Sequence, residues 1–432
     1  MDLTRRYFMK STGALAVYLG VSPAGAALLP RPTLRPKVAR GKTLVVIFLR
    51  GGADGLNLVV PYGDQAYADL RPSLRIPAPA QGNAAAALDL DGYFGLHPRL
   101  QALTPVFEQN MAVAAHAVGY AHNTRSHFEE QDTWETGVIG NTVASDGWLN
   151  RHLATSEGHG PIRAVSIGDA LPRILQGKAP AYAIRGLDDL TMPQTRGDPS
   201  AVAAALEHAY CVDPAEHRAD ARDVLVEAGQ TTLDGMKQLE DLAGQEYRPA
   251  APYPQGQFAQ RLRQVAQLIK ADIGVEVVEV GLGGWDTHAN QGQGAGGQFG
   301  NLAQQLGDAL GAFSADLADR MDDVCVVTLT DFGRTAAENG TRGTDHGWAN
   351  SMFLVGGPVA RANRAAAGEG RERRVVTNWP GLAPDQLHQG RDLLHTTDFR
   401  DVIGELVSVH LGNPGIEAVL PDHEFTRPGL VV

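Results

Sequence analysis

Apolar residues along this chain follow two alternating patterns. Short β-branched runs recur as "TLVVIFLR" (43–50), "MAVAAHAV" (111–118), "VEVVEVGL" (275–282), "VCVVTLT" (324–330) and "SMFLVGG" (351–357). Nearly continuous apolar runs of this length predict strands buried on both faces. Between them the spacing changes to three and four. Leu302, Leu306, Leu310, Phe313, Leu317 and Met321 place one apolar stripe along a helix over 298–321. A second helix is predicted over 396–412, with Thr396 or Thr397 as N-cap and Gly412 as its stop. Strands alternating with helices predict an α/β domain with a mainly parallel central sheet and helices on both faces. Gln-, Ala- and Pro-rich stretches at 78–88 and 244–256 predict loops, the second setting off an inserted helical segment over about 195–245.

The first 26 residues follow neither pattern. "TRRYFMKSTGALAVYLGVSPAGA" has Arg5-Arg6, then Phe8 and Lys10, a weakly apolar run, and the small-residue site Ala24-Gly25-Ala26. This resembles a bacterial twin-arginine signal over residues 1–26. Gly20, Ser22 and Pro23 interrupt the run, and no other run reaches the roughly 18 residues of a span. No permanent membrane span is therefore expected. The twin-arginine translocase would export the chain folded, with any metal already loaded, so a periplasmic or secreted protein is expected. Residues 27–42, rich in Pro and Arg, read as a linker, and 43–432 as a single domain.

Composition narrows the function classes. The chain has 432 residues, 43% apolar and 20% charged, as globular proteins do. Its net charge of −12 argues against sequence-independent nucleic-acid binding, which needs a basic surface. The two cysteines, Cys211 and Cys325, lie far apart and in no zinc or redox spacing. Cys325, inside an apolar run, is expected to be buried.

In such a sheet, ligands sit outside the carboxyl ends of the strands. After 43–50 comes "GGADGLN", with Asp54. After 111–118 comes "GYAHNTRSHFEEQDTWETG", with His122, Thr124, Ser126 and His127. After 275–282 comes "GGWDTHANQ", with Asp286 and His288, and after 324–330 comes "DFGR", with Asp331 and Arg334, then His346. A lone Asp after a strand is usually a cap or turn residue. Four successive ends carrying such groups suggest a site. Carboxylates with imidazoles suit a divalent metal such as zinc, manganese, magnesium or calcium. Ser126 opens a helix, so it reads both as a nucleophile and as an N-cap in a capping box with Glu129. Arg125 and Arg334 are candidate oxyanion clamps or plain salt bridges.

In order, "IFLRGGADG", "TRSHFEEQDTWETG", "GGWDTH", "VVTLTDFGRT", His346 and "LLHTTDFRDVIGELVSVHLG" are similar to the alkaline phosphatase and sulfatase superfamily. The twin-arginine start with "GGADGLNLVVPYGD", "RSHFEEQD", "GWDTHANQ" and "TDFGRT" resembles, more closely and over nearly all of the mature chain, an exported bacterial family known as domain of unknown function 1501. The superfamily resemblance implies an alkaline-phosphatase-like fold. It implies metal ligands at Asp54, Asp286, His288, Asp331 and His346, and a nucleophile at Ser126, with Thr124 the fallback. Two departures stand out. The superfamily's Asp-His pair reads Asp331-Phe332 here, and Phe cannot ligate; Asp286 and His288 are two apart rather than four. One well-formed metal site is therefore expected.

Three string matches are set aside. Asp331-Phe332-Gly333 lacks the other kinase motifs. Gly292–Gly297 does not directly follow a strand, so it reads as a loop edging the site. No Gly-x-Ser-x-Gly occurs. His97, His116 and His152 are read as core or surface histidines, and Trp285 and Trp348 as packing aromatics. Two functions remain: an exported metal-dependent hydrolase or transferase for phosphate or sulfate esters, or a non-catalytic cell-envelope protein binding a polysaccharide or protein partner.

Overall fold

A computed structural model of the chain describes residues 41–140, 144–158, 160–187, 234–370 and 373–432. The signal segment, nearly all of the linker, Cys211 and most of the expected insertion lie outside these residues.

Among the described residues, nine strands form one sheet. They are β1 (Thr43–Leu49), β2 (Ala112–Gly119), β3 (Ala164–Ile167), β4 (Tyr182–Ile184), β5 (Val277–Leu282), β6 (Val324–Thr330), β7 (Asn350–Gly356), β8 (Val375–Val376) and β9 (Thr397–Asp398). Their order is β8-β2-β7-β6-β1-β5-β3-β4, with β9 also on β2. Only β7 is antiparallel to its neighbours; every other pairing is parallel. The mainly parallel α/β sheet expected from the sequence is present, and all five expected strands appear within two residues of their bounds.

β1 shows why both faces are covered. Every residue in it is buried. Val45, Ile47 and Leu49 point into one layer with Leu306 and Leu310 of helix 297–317, whereas Leu44, Val46 and Phe48 point into the other with Trp134 and Phe399. Successive side chains of a strand point to opposite faces, so one unbroken apolar run feeds two cores. Each fully buried aliphatic side chain contributes about 1.5–3 kcal/mol.

Four helices matter below: α1 (His127–Thr136), α2 (Gln257–Lys270), α3 (Gly297–Leu317) and α4 (Phe399–Glu405). Two differ from expectation. α3 ends at Leu317, and Met321 lies in a tighter 3-10 turn, Ala318–Asp323. The expected 396–412 helix starts later, because Thr397 pairs with Val118 in β9 and Asp398 caps α4 by accepting from the Arg400 N–H at 2.9 Å. It then continues as a π turn, Leu406–His410.

The loop 244–256 is pinned to α3 through one carboxylate. Buried Asp316 accepts from the Tyr247 hydroxyl (2.6 Å), the Ala250 N–H (2.7 Å), the Tyr253 hydroxyl (2.9 Å) and the Lys270 ammonium (2.6 Å). His97, His116, His152 and Cys325 are all buried, as expected. No helix among the described residues is long and apolar enough to cross a membrane.

Candidate metal centre

β1, β2, β5 and β6 run the same way, so their carboxyl ends share one edge of the sheet. After β1, Gly51 and Gly52 take φ of +116° and +68°. A Cβ at Gly52 would fall 2.4 Å from the Phe332 ring, and one at Gly51 would fall 2.7 Å from the backbone nitrogen of Asp286. Only glycine fits both demands. The two backbone N–H groups donate to Asp331 Oδ1 at 3.0 and 3.4 Å, tying the end of β1 to the end of β6. Beyond β6 the chain turns back. A bridge between Arg334 and His346, with Gly347 N–H donating to the Gly333 carbonyl at 2.7 Å, returns His346 to the same edge.

Four side chains meet there. His127, Asp286 and His346 offer ligand atoms within 4.8 Å of one another. His288 stands at their rim, its Nε2 2.9 Å from His346 Nε2 and 3.0 Å from Asp286 Oδ1. His346 Nε2 is 3.2 Å from Asp286 Oδ1, and His127 Nε2 is 3.5 Å from Asp286 Oδ2.

The outer nitrogens explain this convergence. His127 Nδ1 lies 2.6 Å from Asp331 Oδ2, His346 Nδ1 2.8 Å from the Arg125 carbonyl, and His288 Nδ1 2.9 Å from Asp345 Oδ1. A carboxylate or carbonyl oxygen accepts, so each Nδ1 donates and Nε2 is the nitrogen left facing inward; in a neutral imidazole that nitrogen carries the lone pair. His127 Nε2 is buried without a hydrogen-bond partner. Imidazoles oriented by an outer oxygen are what metal ligation requires. A tetrahedral shell with bonds of about 2.0–2.1 Å has edges of about 3.3–3.4 Å, and the separations of the imidazoles from Asp286, 3.0 to 3.5 Å, bracket that value. His127, Asp286 and His346 could hold one divalent ion, with His288 at the rim.

The electrostatics agree. Burial pushes the Asp286 carboxyl up, but the hydrogen bond and charge of Arg334, with His346 and His288, outweigh it and hold the pKa at about 2. Burial lowers His346 below the ordinary imidazole value, against the pull of the Arg125 carbonyl and Asp286. The hydrogen bond from His288 lowers Asp345. At neutral pH this leaves charged carboxylates and a neutral His346, the forms that ligate.

Several residues expected at the site have other work. Asp54 is buried away from the group: its Oδ2 accepts from Arg71 at 2.6 Å and Gln291 at 2.7 Å, while Oδ1 is buried without a partner. Asp331 stands behind His127 rather than beside it. Its Oδ1 takes the two glycine N–H groups and its Oδ2 takes His127 and Gln131 Nε2 (2.8 Å), so both oxygens are committed. Arg334 is 2% exposed and donates to the carbonyls of Gly51, Gly52, Trp285 and Thr344 and to Asp286. It knots three strand ends together, and its burial and these bonds give it a structural role in place of the expected oxyanion clamp. Arg125 pairs with Asp392 at 2.6 Å and lies over the Trp348 ring. Its φ of +61° turns its carbonyl toward His346.

Ser126 occupies the N-cap position of α1, but its hydroxyl makes no cap bond, so the expected capping box with Glu129 is absent. Glu130 instead accepts from the Thr124 N–H (2.7 Å) and hydroxyl (3.0 Å). Phe332 is fully buried and packs its ring on His127 and His346, with centroids 4.8 and 4.5 Å apart, forming an apolar wall. Trp285 packs edge-on against Phe299, and Trp348 stacks on His388. His127 is the member of this group that the sequence did not place in the ligand set. Its signal was its position after the strand 111–118, directly beside Ser126.

No curated protein matches the chain by sequence. Among solved structures, the PsFucS1 sulfatase from Pseudoalteromonas sp. is similar at 11% identity and a TM-score of 0.32, over 75% of this chain and 64% of that one. The chain thus spans less than two thirds of that structure, and a likeness of this size adds nothing about the site. The match to a family model is far broader: over residues 41–412 the chain fits the model described as a protein of unknown function (DUF1501), and it belongs to that family.

Proposed function

We propose that the chain is an exported, metal-dependent hydrolase or transferase of phosphate or sulfate esters, with His127, Asp286, His288 and His346 holding one divalent ion. One observation carries the reading. Three imidazoles donate from Nδ1 to outer oxygens and turn Nε2 toward one carboxylate. Of the four candidate ions, this nitrogen-rich set suits zinc best; manganese, magnesium and calcium prefer oxygen. When bound, such an ion polarises an ester oxygen and makes a nearby hydroxyl or water more acidic.

The chain's own residues supply the rest. Ser126 precedes His127, and its hydroxyl is not spent on the helix. Thr124 donates its hydroxyl to Glu130 and is held back. Ser126 is therefore the better nucleophile. The first-turn N–H groups of α1 favour an anion beside it. Export rests on the Arg5-Arg6 segment.

The test is elemental mass spectrometry on the mature protein, followed by an ester screen with the wild type, Ser126→Ala and Asp286→Ala. Bound metal and ester turnover in the wild type, each lost in Asp286→Ala, support the reading. A wild type that takes up no metal sinks it.

A second reading is favoured by the two arginines. Arg334 is buried among carbonyls and Arg125 is paired with Asp392, and such internal pairing weakens both as holders of an ester anion. A protein that binds metal but turns over no ester would be a non-catalytic envelope protein binding a polysaccharide or protein partner.

A further inference from the structure

Beside the metal ligands lies a groove of about 560 Å³, within the roughly 300–1,000 Å³ of small-molecule sites. It runs along α1 and over the ends of β3 and β5. Its chemistry differs from that of an anion site. Three arginines line it, Arg50, Arg173 and Arg261, against four carboxylates, Asp132, Glu135, Asp169 and Glu279. The charges are largely paired. Arg50 bonds Glu135 at 2.7 Å and Glu279 at 3.4 Å, and Arg173 bonds Asp132 at 3.0 Å. Ser166 donates to Glu279 at 2.8 Å. A ligand entering here meets donors and acceptors side by side and a slight excess of negative charge. That arrangement suits hydroxyl groups, which both donate and accept, and disfavours a polyanion.

An aromatic ring stands at the rim. Phe128 lines the groove and is 91% exposed, whereas the other large apolar side chains among the described residues are almost all covered. It directly follows His127. A flat apolar ring beside a polar groove suits a sugar, whose C–H face packs on aromatics while its hydroxyls bond elsewhere. The groove also adjoins the metal centre through one residue. Gln131 lines the groove, accepts from Arg50 at 3.0 Å, and donates to Asp331 at 2.8 Å, which in turn holds His127.

We propose that this groove binds an uncharged polyhydroxylated group, a sugar ring or short neutral saccharide, through Phe128 and the paired charges beneath it. Its role as the subsite that presents a glycosyl ester to the metal rests on the function proposed above; the binding itself does not.

The experiment is a titration of the mature protein with short neutral oligosaccharides of glucose, mannose, galactose and N-acetylglucosamine, followed by saturation-transfer NMR. Sulfated oligosaccharides and inorganic sulfate run alongside. Wild type, Phe128→Ala and Asp286→Ala are compared. Phe128→Ala removes only an exposed ring, so the fold is retained. The expected result is neutral saccharide binding by wild type and Asp286→Ala, weakened about tenfold in Phe128→Ala, as loss of an anchoring aromatic costs. Binding by Asp286→Ala without metal would uphold the groove even if the metal reading failed. The proposal is overturned if no neutral saccharide binds, if only sulfated ones bind, if Phe128→Ala binds as well as wild type, or if Asp286→Ala loses saccharide binding.

Discussion

His288 and His346 bring their Nε2 atoms to 2.9 Å of each other, although each has already given its Nδ1 proton to an oxygen. A proton on either nitrogen makes this contact a hydrogen bond; on the proposed function one metal cation takes that place, with Asp286 as the counter-charge.

On the proposed function, the ligands and the structural carboxylate are separable. His127→Ala and His346→Ala should lose bound metal while staying folded, since both side chains are partly exposed. Asp54→Ala should keep the metal but lose about 3–5 kcal/mol of stability, because it strands Arg71 as a buried, unpaired charge. Elemental analysis together with urea unfolding checks both. Metal loss in a well-folded Asp54→Ala would return Asp54 to the ligand set.

Asp331 orients His127 without taking part in the group. Asp331→Asn should weaken metal affinity by about 10–100-fold, the usual effect of an outer partner, yet still fill when metal is in excess. A competition titration against a chelator reads this. A variant that stays empty in excess metal would make Asp331 a direct ligand.

The hydroxyls should behave differently. Ser126→Ala should reduce ester turnover to background with metal content unchanged. Thr124→Val should chiefly lower stability, because it removes a hydrogen bond to the buried Glu130, by about 0.5–1.5 kcal/mol. Steady-state kinetics and thermal melts on the two variants separate the roles.

Stability should fall in acid through Asp316. Burial raises its carboxyl pKa, but Lys270, Tyr247, the Ala250 N–H and Tyr253 outweigh this and hold it below the ordinary 3.8. A carboxyl with a lower pKa folded than unfolded stabilises fully above the unfolded value, and that contribution disappears as pH falls through the folded one. Asp316→Asn should thus be less stable than wild type at neutral pH, with the gap closing below about pH 4. Urea unfolding across that range checks it; a gap that is constant with pH would remove the role of the charge.

The strands and the helix 297–317 were legible because burial leaves a period in sequence. β1 and β6 are apolar at nearly every position, and one stripe of α3 repeats every three or four residues. Thr397 was misread as a cap because a β-bridge to Val118, distant in sequence, claimed it first. Arg125 and Arg334 were ambiguous for a similar reason. An arginine's partner is set by what folding brings near it, here Asp392 and a set of carbonyls.

By itself the sequence determined the α/β sheet, and it placed Asp286, His288 and His346 after strands whose carboxyl ends share one edge. Strand direction follows from apolar runs and their connections, and groups after parallel strands must share an edge. Only the tertiary structure decided which of those groups meet. Asp54 and Asp331 both follow strands and look alike in sequence, yet Arg71 draws one into the core and His127 takes the other as its acceptor. His127 entered the group because the turn at Arg125 and the start of α1 aim its ring at Asp286. Such aim depends on backbone angles and on neighbours more than 150 residues away, and no local pattern records it.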